Sequence, residues 1–274
     1  MNNEKELTVK EAFALAIQNH QNNNLQDAQN YYQKVLKIDP NYTPALNNLG
    51  VIYKNLQENQ KARDCYEKAI EINPNYSDAH NNLGILFKEL GELEKAKECF
   101  EKAIEINPNY AHAHNNLGTI FQELGELQKV KSCYEQAIKI NPNYVDAHNN
   151  LGVIFKDFGQ YQKAKGCFEK VIEIDPNYTS AYWNSHGLST DIDGALLILK
   201  KLYKIDNKYT KAKIMIAALE GFKGNFSMFD DILSSSDSDH QISRSVKWVF
   251  SLPKLPKIFF DRWRSEERRV GKRV

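Results

Sequence analysis

No run of about 18 consecutive apolar residues occurs in the 274-residue chain, so no helix of it is expected to span a bilayer. Net charge is equally scarce. The 36 basic side chains nearly balance the 35 acidic ones, which leaves no electrostatic reason to expect nucleic acid as a partner. The opening residues, MNNEKELTVKEAF, lack the basic stretch and apolar core of a secretory signal, and a cytoplasmic location is expected. The chain has no glycine-rich phosphate loop, no G-x-S-x-G and no H-E-x-x-H, so neither catalysis nor a bound cofactor is expected of it.

Cysteine is sparse but regular. The four are Cys65, Cys99, Cys133 and Cys167, each 34 residues after the last. If that interval is one structural repeat, equivalent positions lie about 8–10 Å apart, the spacing of packed helices. Disulfides need Cα atoms within roughly 7 Å, and four sulfurs strung along a line cannot surround one zinc ion. They are expected as small, half-buried apolar groups.

The same interval runs through much else. Prolines fall at Pro40, Pro74, Pro108, Pro142 and Pro176, and the pentapeptide HNNLG begins at His80, His114 and His148. A fixed period of this length marks a stacked-repeat architecture. In the copy Asn75–Pro108, Leu83, Leu86, Phe87 and Leu90 give one helical stripe, and Leu93, Ala96, Cys99, Phe100, Ala103 and Ile104 give another. Gly91, between them, is placed to end the first helix in a left-handed turn. Pro108 closes the copy. Each copy is therefore a helix–turn–helix hairpin that buries its apolar face only against its neighbours. Gly50, Gly84, Gly118 and Gly152 each cost about 1 kcal/mol inside a helix, which predicts close helix approach there. Ala62, Ala96 and Ala164 serve the second helix in the same way, and Val130 is the larger exception.

With Leu83, Gly84, Phe87, Ala96, Phe100 and Pro108, this copy resembles the tetratricopeptide pattern L-G-x₂-Y, A-x₃-F, P on a 34-residue period. The copies are bounded at 7–40, 41–74, 75–108, 109–142 and 143–176. The first is weaker, with Asn19 where an aromatic belongs, as in a capping repeat. The resemblance implies an all-α, right-handed superhelical solenoid. Beyond Pro176 the pattern decays: residues 177–233 read as two degenerate helical pairs, the first short by three residues. Residues 234–245 form a polar linker. The apolar and basic segment 246–263 resembles the junction at which bacterial tetratricopeptide repeats meet a methyltransferase-like domain. Residues 264–274 share no pattern with the rest and read as a non-native tail, so the chain is expected to be a fragment.

His80, His114 and His148 take the place of the family's tryptophan and lie too far apart to share a metal ion, so they are expected as partly buried structural residues. The asparagine pairs Asn47/Asn48, Asn81/Asn82, Asn115/Asn116 and Asn149/Asn150 stand where first helices of this family line the concave groove. An amide both donates and accepts, so a column of them suits the backbone of an extended peptide. The repeats resemble those of protein O-GlcNAc transferases, in which such a column contacts the peptide; Asn48, Asn82, Asn116 and Asn150 match it best by position. The alternative is that the asparagines bond one another. Lys54, Lys88 and Lys156, one turn on, favour acidic ligands, and Glu89, Glu123 and Asp157 beside them offset that. The lysine and arginine clamp of chaperone-tail receptors is absent. The expected function is a scaffold that binds extended segments of other proteins, with no nucleic acid, membrane insertion or metal. The alternative is the substrate-recruiting arm of a methyltransferase or glycosyltransferase whose catalytic domain would follow residue 263. Partner identity and oligomeric state are not legible.

Overall fold

A computed structural model describes residues 7–225 of the chain. Among the described residues there are thirteen α-helices and no strand. The chain divides into two compact units between Ala147 and His148.

The first unit holds α1 (Val9–Gln21), α2 (Leu25–Ile38), α3 (Thr43–Asn55), α4 (Asn59–Ile72), α5 (Ser77–Glu89), α6 (Leu93–Ile106), α7 (Ala111–Glu123) and α8 (Leu127–Ile140). They pair as α1·α2, α3·α4, α5·α6 and α7·α8, and each hairpin then packs on the next. Thr8 starts the stack with a capping box: its hydroxyl accepts from the Glu11 amide, and the Glu11 carboxylate accepts from the Thr8 amide.

Two local devices repeat at fixed places. Between hairpins, proline halts the helix and the preceding side chain closes a turn. Asn73 Oδ1 accepts from the Asn75 amide at 3.1 Å, and Asp39 does the same for Asn41 at 3.0 Å. Within hairpins the chain turns through a left-handed residue, Gly91 at φ 77°. Gln57 occupies the equivalent position one repeat earlier at φ 60°, a conformation that strains a side-chain-bearing residue.

The core explains the small residues. A Cβ on Gly84 would lie 2.8 Å from Cε1 of Phe100, closer than side chains tolerate. Glycine thus lets α5 settle directly on the Phe100 ring, which is fully buried. Ala62, Ala96 and the larger Val130 are fully buried as well.

The second unit contains most of α9 (Val145–Asp157), then α10 (Tyr161–Ile174), α11 (Thr179–His186), α12 (Ile192–Ile205) and α13 (Thr210–Phe222). Here the three-residue shortfall takes physical form. α11 has eight residues, whereas α9 has thirteen. Its core gathers Tyr182, Leu196, Leu199, Leu202, Met215 and Leu219. The second helix expected of the last degenerate pair, the linker at 234–245, the segment 246–263 and the tail 264–274 all lie outside the described residues. Among the described residues, no helix is long and apolar enough to cross a membrane.

Candidate functional site: an asparagine ladder

Adjacent residues on a helix point in different directions, and the two asparagines of each pair have different surroundings. In the first unit Asn47, Asn81 and Asn115 are buried, at 5%, 4% and 7% exposure. Asn48, Asn82 and Asn116 are half-buried. A buried amide has to be hydrogen-bonded, and here the bonds run from repeat to repeat. Asn82 Nδ2 donates to Asn47 Oδ1 at 2.9 Å, and Asn116 Nδ2 donates to Asn81 Oδ1 at 3.1 Å. Within pairs, Asn47 Nδ2 donates to Asn48 Oδ1 at 3.3 Å and Asn81 Nδ2 to Asn82 Oδ1 at 3.5 Å. Asn48 Nδ2 donates to the Tyr32 hydroxyl at 3.2 Å, which anchors the ladder in the first hairpin. The alternative reading, in which the asparagines bond one another, therefore describes the contacts they make in the first unit.

In the second unit Asn149 is buried and Asn150 half-buried, as in the earlier pairs. Asn149 Oδ1 accepts from Asn184 Nδ2 at 3.3 Å. Asn184 does not stand out in the sequence because it sits in AYWNSHG rather than HNNLG. Aligning Asn177-Tyr178 with Asn143-Tyr144 finds it, 34 residues after Asn150. The same alignment puts Trp183 at the place of the buried asparagine. Its ring lies 4.5 Å from that of His186 and 5.7 Å from that of Tyr209.

Two of the three candidate lysines are engaged across repeats. Lys54 Nζ lies 2.7 Å from Glu89, and Lys88 Nζ lies 3.7 Å from Glu123. The carboxylates that sequence placed beside the lysines thus neutralise the lysine of the preceding repeat. Gln122, at the lysine position of its repeat, accepts instead from the Tyr134 hydroxyl at 3.2 Å. Lys156 differs: it is half-buried, and no carboxylate among the described residues pairs with it.

The histidines are tied to backbone. The ring Nε2–H groups of His80 and His114 donate to the carbonyls of Pro74 and Pro108, each at 3.0 Å. Tyr182 acts likewise in the second unit, its hydroxyl donating to the Pro176 carbonyl at 3.0 Å. Each of these contacts ties a first helix to the turn that precedes it. Burial pushes the Cys65 and Cys133 thiols up to about 11 and that of Cys99 to about 12. Such thiols are poor nucleophiles and poor metal ligands at neutral pH. Among the described residues, no three His, Cys, Asp or Glu side chains gather as a metal ion would require.

Comparison with known proteins agrees with this architecture. A family model described as the tetratricopeptide repeat matches residues 43–76, 77–110, 111–144 and 145–178, and a second model of that description matches 15–42. Among solved structures, PilF of Pseudomonas aeruginosa is 18% identical at a TM-score of 0.69, covering 78% of this chain and 96% of its own. A MamA structure is 26% identical at a TM-score of 0.51, covering 59% of this chain and 95% of its own. YrrB, described as a TPR protein with an unusual peptide-binding site, is 22% identical at 0.52, covering 66% and 95%. The comparison with curated proteins gives no match.

Proposed function

The chain belongs to the tetratricopeptide repeat family, and on that premise we propose that it is an interaction scaffold holding an extended segment of a partner protein against its asparagines. The observation that carries this reading is the unused capacity of the ladder. A side-chain amide has two N–H donors and two acceptor lone pairs. Asn48 and Asn82 each use one donor and one lone pair within the ladder. One N–H and one lone pair remain on each, on half-buried residues that water and ligand both reach.

An extended peptide presents the complementary groups, backbone C=O and N–H in alternation, whatever its side chains are. The ladder bonds fix the orientation of each amide before a ligand arrives, which lowers the ordering cost of binding. The likeness of the repeats to those of O-GlcNAc transferases points the same way, as does the peptide-binding site named for YrrB. A cytoplasmic location fits the same reading.

The test changes Asn48, Asn82 and Asn116 together to alanine, with Glu101→Gln on an exposed position as the control. Capture of a random octapeptide library by the full chain is read by mass spectrometry, with helix content checked by circular dichroism. Each lost hydrogen bond is worth about 0.5–1.5 kcal/mol, so capture is expected to fall at least about tenfold. Unchanged capture by a folded triple variant would refute the proposal.

A further inference from the structure

Lys54 pairs with Glu89 and Lys88 with Glu123, so the partner of each lysine is the carboxylate 35 residues on. For Lys156 that place falls within the turn that the short repeat has lost, because α11 ends at His186. Asp191, 35 residues on by number alone, is the counterpart of Gln160 and caps α12, its Oδ1 accepting from the Gly194 amide at 2.7 Å. The loss of about one helical turn thus strands a half-buried ammonium. The same loss opens a cavity of about 480 Å³ beside it, lined by Lys156, Trp183, Asn184, His186, Met215 and the exposed Asp157.

The lining is mixed in a specific way. Trp183 and Met215 supply an apolar wall. Asn184 has given one N–H to Asn149 and keeps the other. His186 donates Nδ1–H to the Trp183 carbonyl, and burial lowers its pKa, so it stays neutral near pH 7. Asp157 is exposed, and water and salt screen its charge; Lys156 is the less solvated of the two charges.

Taking the proposed peptide binding as its basis, we infer that this cavity selects an acidic side chain of the bound segment. The Asp or Glu carboxylate accepts from the Lys156 ammonium and from the remaining Asn184 N–H, and its methylene stem lies on Trp183. The cavity, which lies within the second unit, thus adds a sequence preference to recognition that otherwise reads only backbone.

The test uses position-scanning octapeptide libraries in two forms, C-terminally amidated and free acid, captured by the full chain and by its Lys156→Gln and Lys156→Arg variants. A charge-assisted hydrogen bond predicts about five- to tenfold enrichment of Asp or Glu at one register of the amidated library. The enrichment is expected to vanish in Lys156→Gln and persist in Lys156→Arg. Capture without that enrichment, or with it intact in Lys156→Gln, overturns the pocket and leaves the asparagine reading standing. Enrichment confined to free-acid peptides assigns the site to a chain terminus and overturns the side-chain assignment. No capture in either library overturns both readings together.

Discussion

Replacing Asn82 by alanine removes the 2.9 Å bond to Asn47 Oδ1 and the longer 3.5 Å bond from Asn81 Nδ2. The damage falls mainly on Asn47, which is 5% exposed and left with a buried acceptor. A net hydrogen bond contributes about 0.5–1.5 kcal/mol, and an unpaired buried group costs about 1–3 kcal/mol. Because Asn82 is half-buried, truncating its side chain lets water approach Asn47, so the expected cost lies at the low end, about 1–2 kcal/mol. Asn47→Ala should cost a similar amount by orphaning the opposite end. Once both are alanine, neither orphan of the 2.9 Å bond exists, the separate losses at Asn48 and Asn81 cancel in the cycle, and the double variant should be about 1 kcal/mol more stable than the sum of the single effects implies. Asn47 lies in α3 and Asn82 in α5, which are in contact, so the coupling belongs to the nearest-neighbour interface term of a stacked array. The measurement is a guanidinium double-mutant cycle followed by helical circular dichroism. A coupling no larger than the about 0.3–0.5 kcal/mol scatter of independent sites would refute the ladder as an energetic link between repeats.

Two further outcomes follow from the turns and from burial. Gln57→Gly should raise the unfolding free energy by about 0.5–1 kcal/mol, because relief of left-handed strain, about 1–2 kcal/mol, outweighs the greater freedom of unfolded glycine, about 0.4–1 kcal/mol; a lower denaturation midpoint contradicts the strain at φ 60°. Burial raises the folded pKa of Cys65, Cys99 and Cys133 from 9.0 to about 11–12, and those of Tyr76 and Tyr144 from 10.0 to about 12. The unfolded chain therefore loses protons first, and stability should be full below pH 9 and fall as pH rises toward 12. Denaturation midpoints that stay level across that window would contradict it.

Much of the architecture was legible because the repeat makes its own argument. The left-handed stop at Gly91 and the tight contact at Gly84 each follow from one glycine, the first because it takes a positive φ without strain and the second because a Cβ there would meet Phe100. The division of labour within each asparagine pair was not legible. Asn81 and Asn82 are chemically identical, and only the approach of the neighbouring hairpin decides which one is buried. The lysines differ from expectation in one respect for a similar reason. Glu89 sits beside Lys88 in the chain, yet it neutralises Lys54 across the repeat boundary. Asn184 is obscured because a degenerate repeat kept the amide and lost the letters around it. The stranding of Lys156 was hidden too, since it depends on α11 ending at His186, before the position that would carry the next carboxylate.

The claim that half-buried asparagines meet the peptide is tested most directly by side-chain amide NMR. A captured octapeptide is titrated into the isotopically labelled chain, and the Nδ2–H₂ resonances are followed. The account predicts that Asn48, Asn82 and Asn116 shift in a saturable way while Asn75 and Asn109, exposed at the joints between hairpins, stay in place. Shifts confined to Asn75 and Asn109, with the ladder resonances unmoved at saturation, would contradict it.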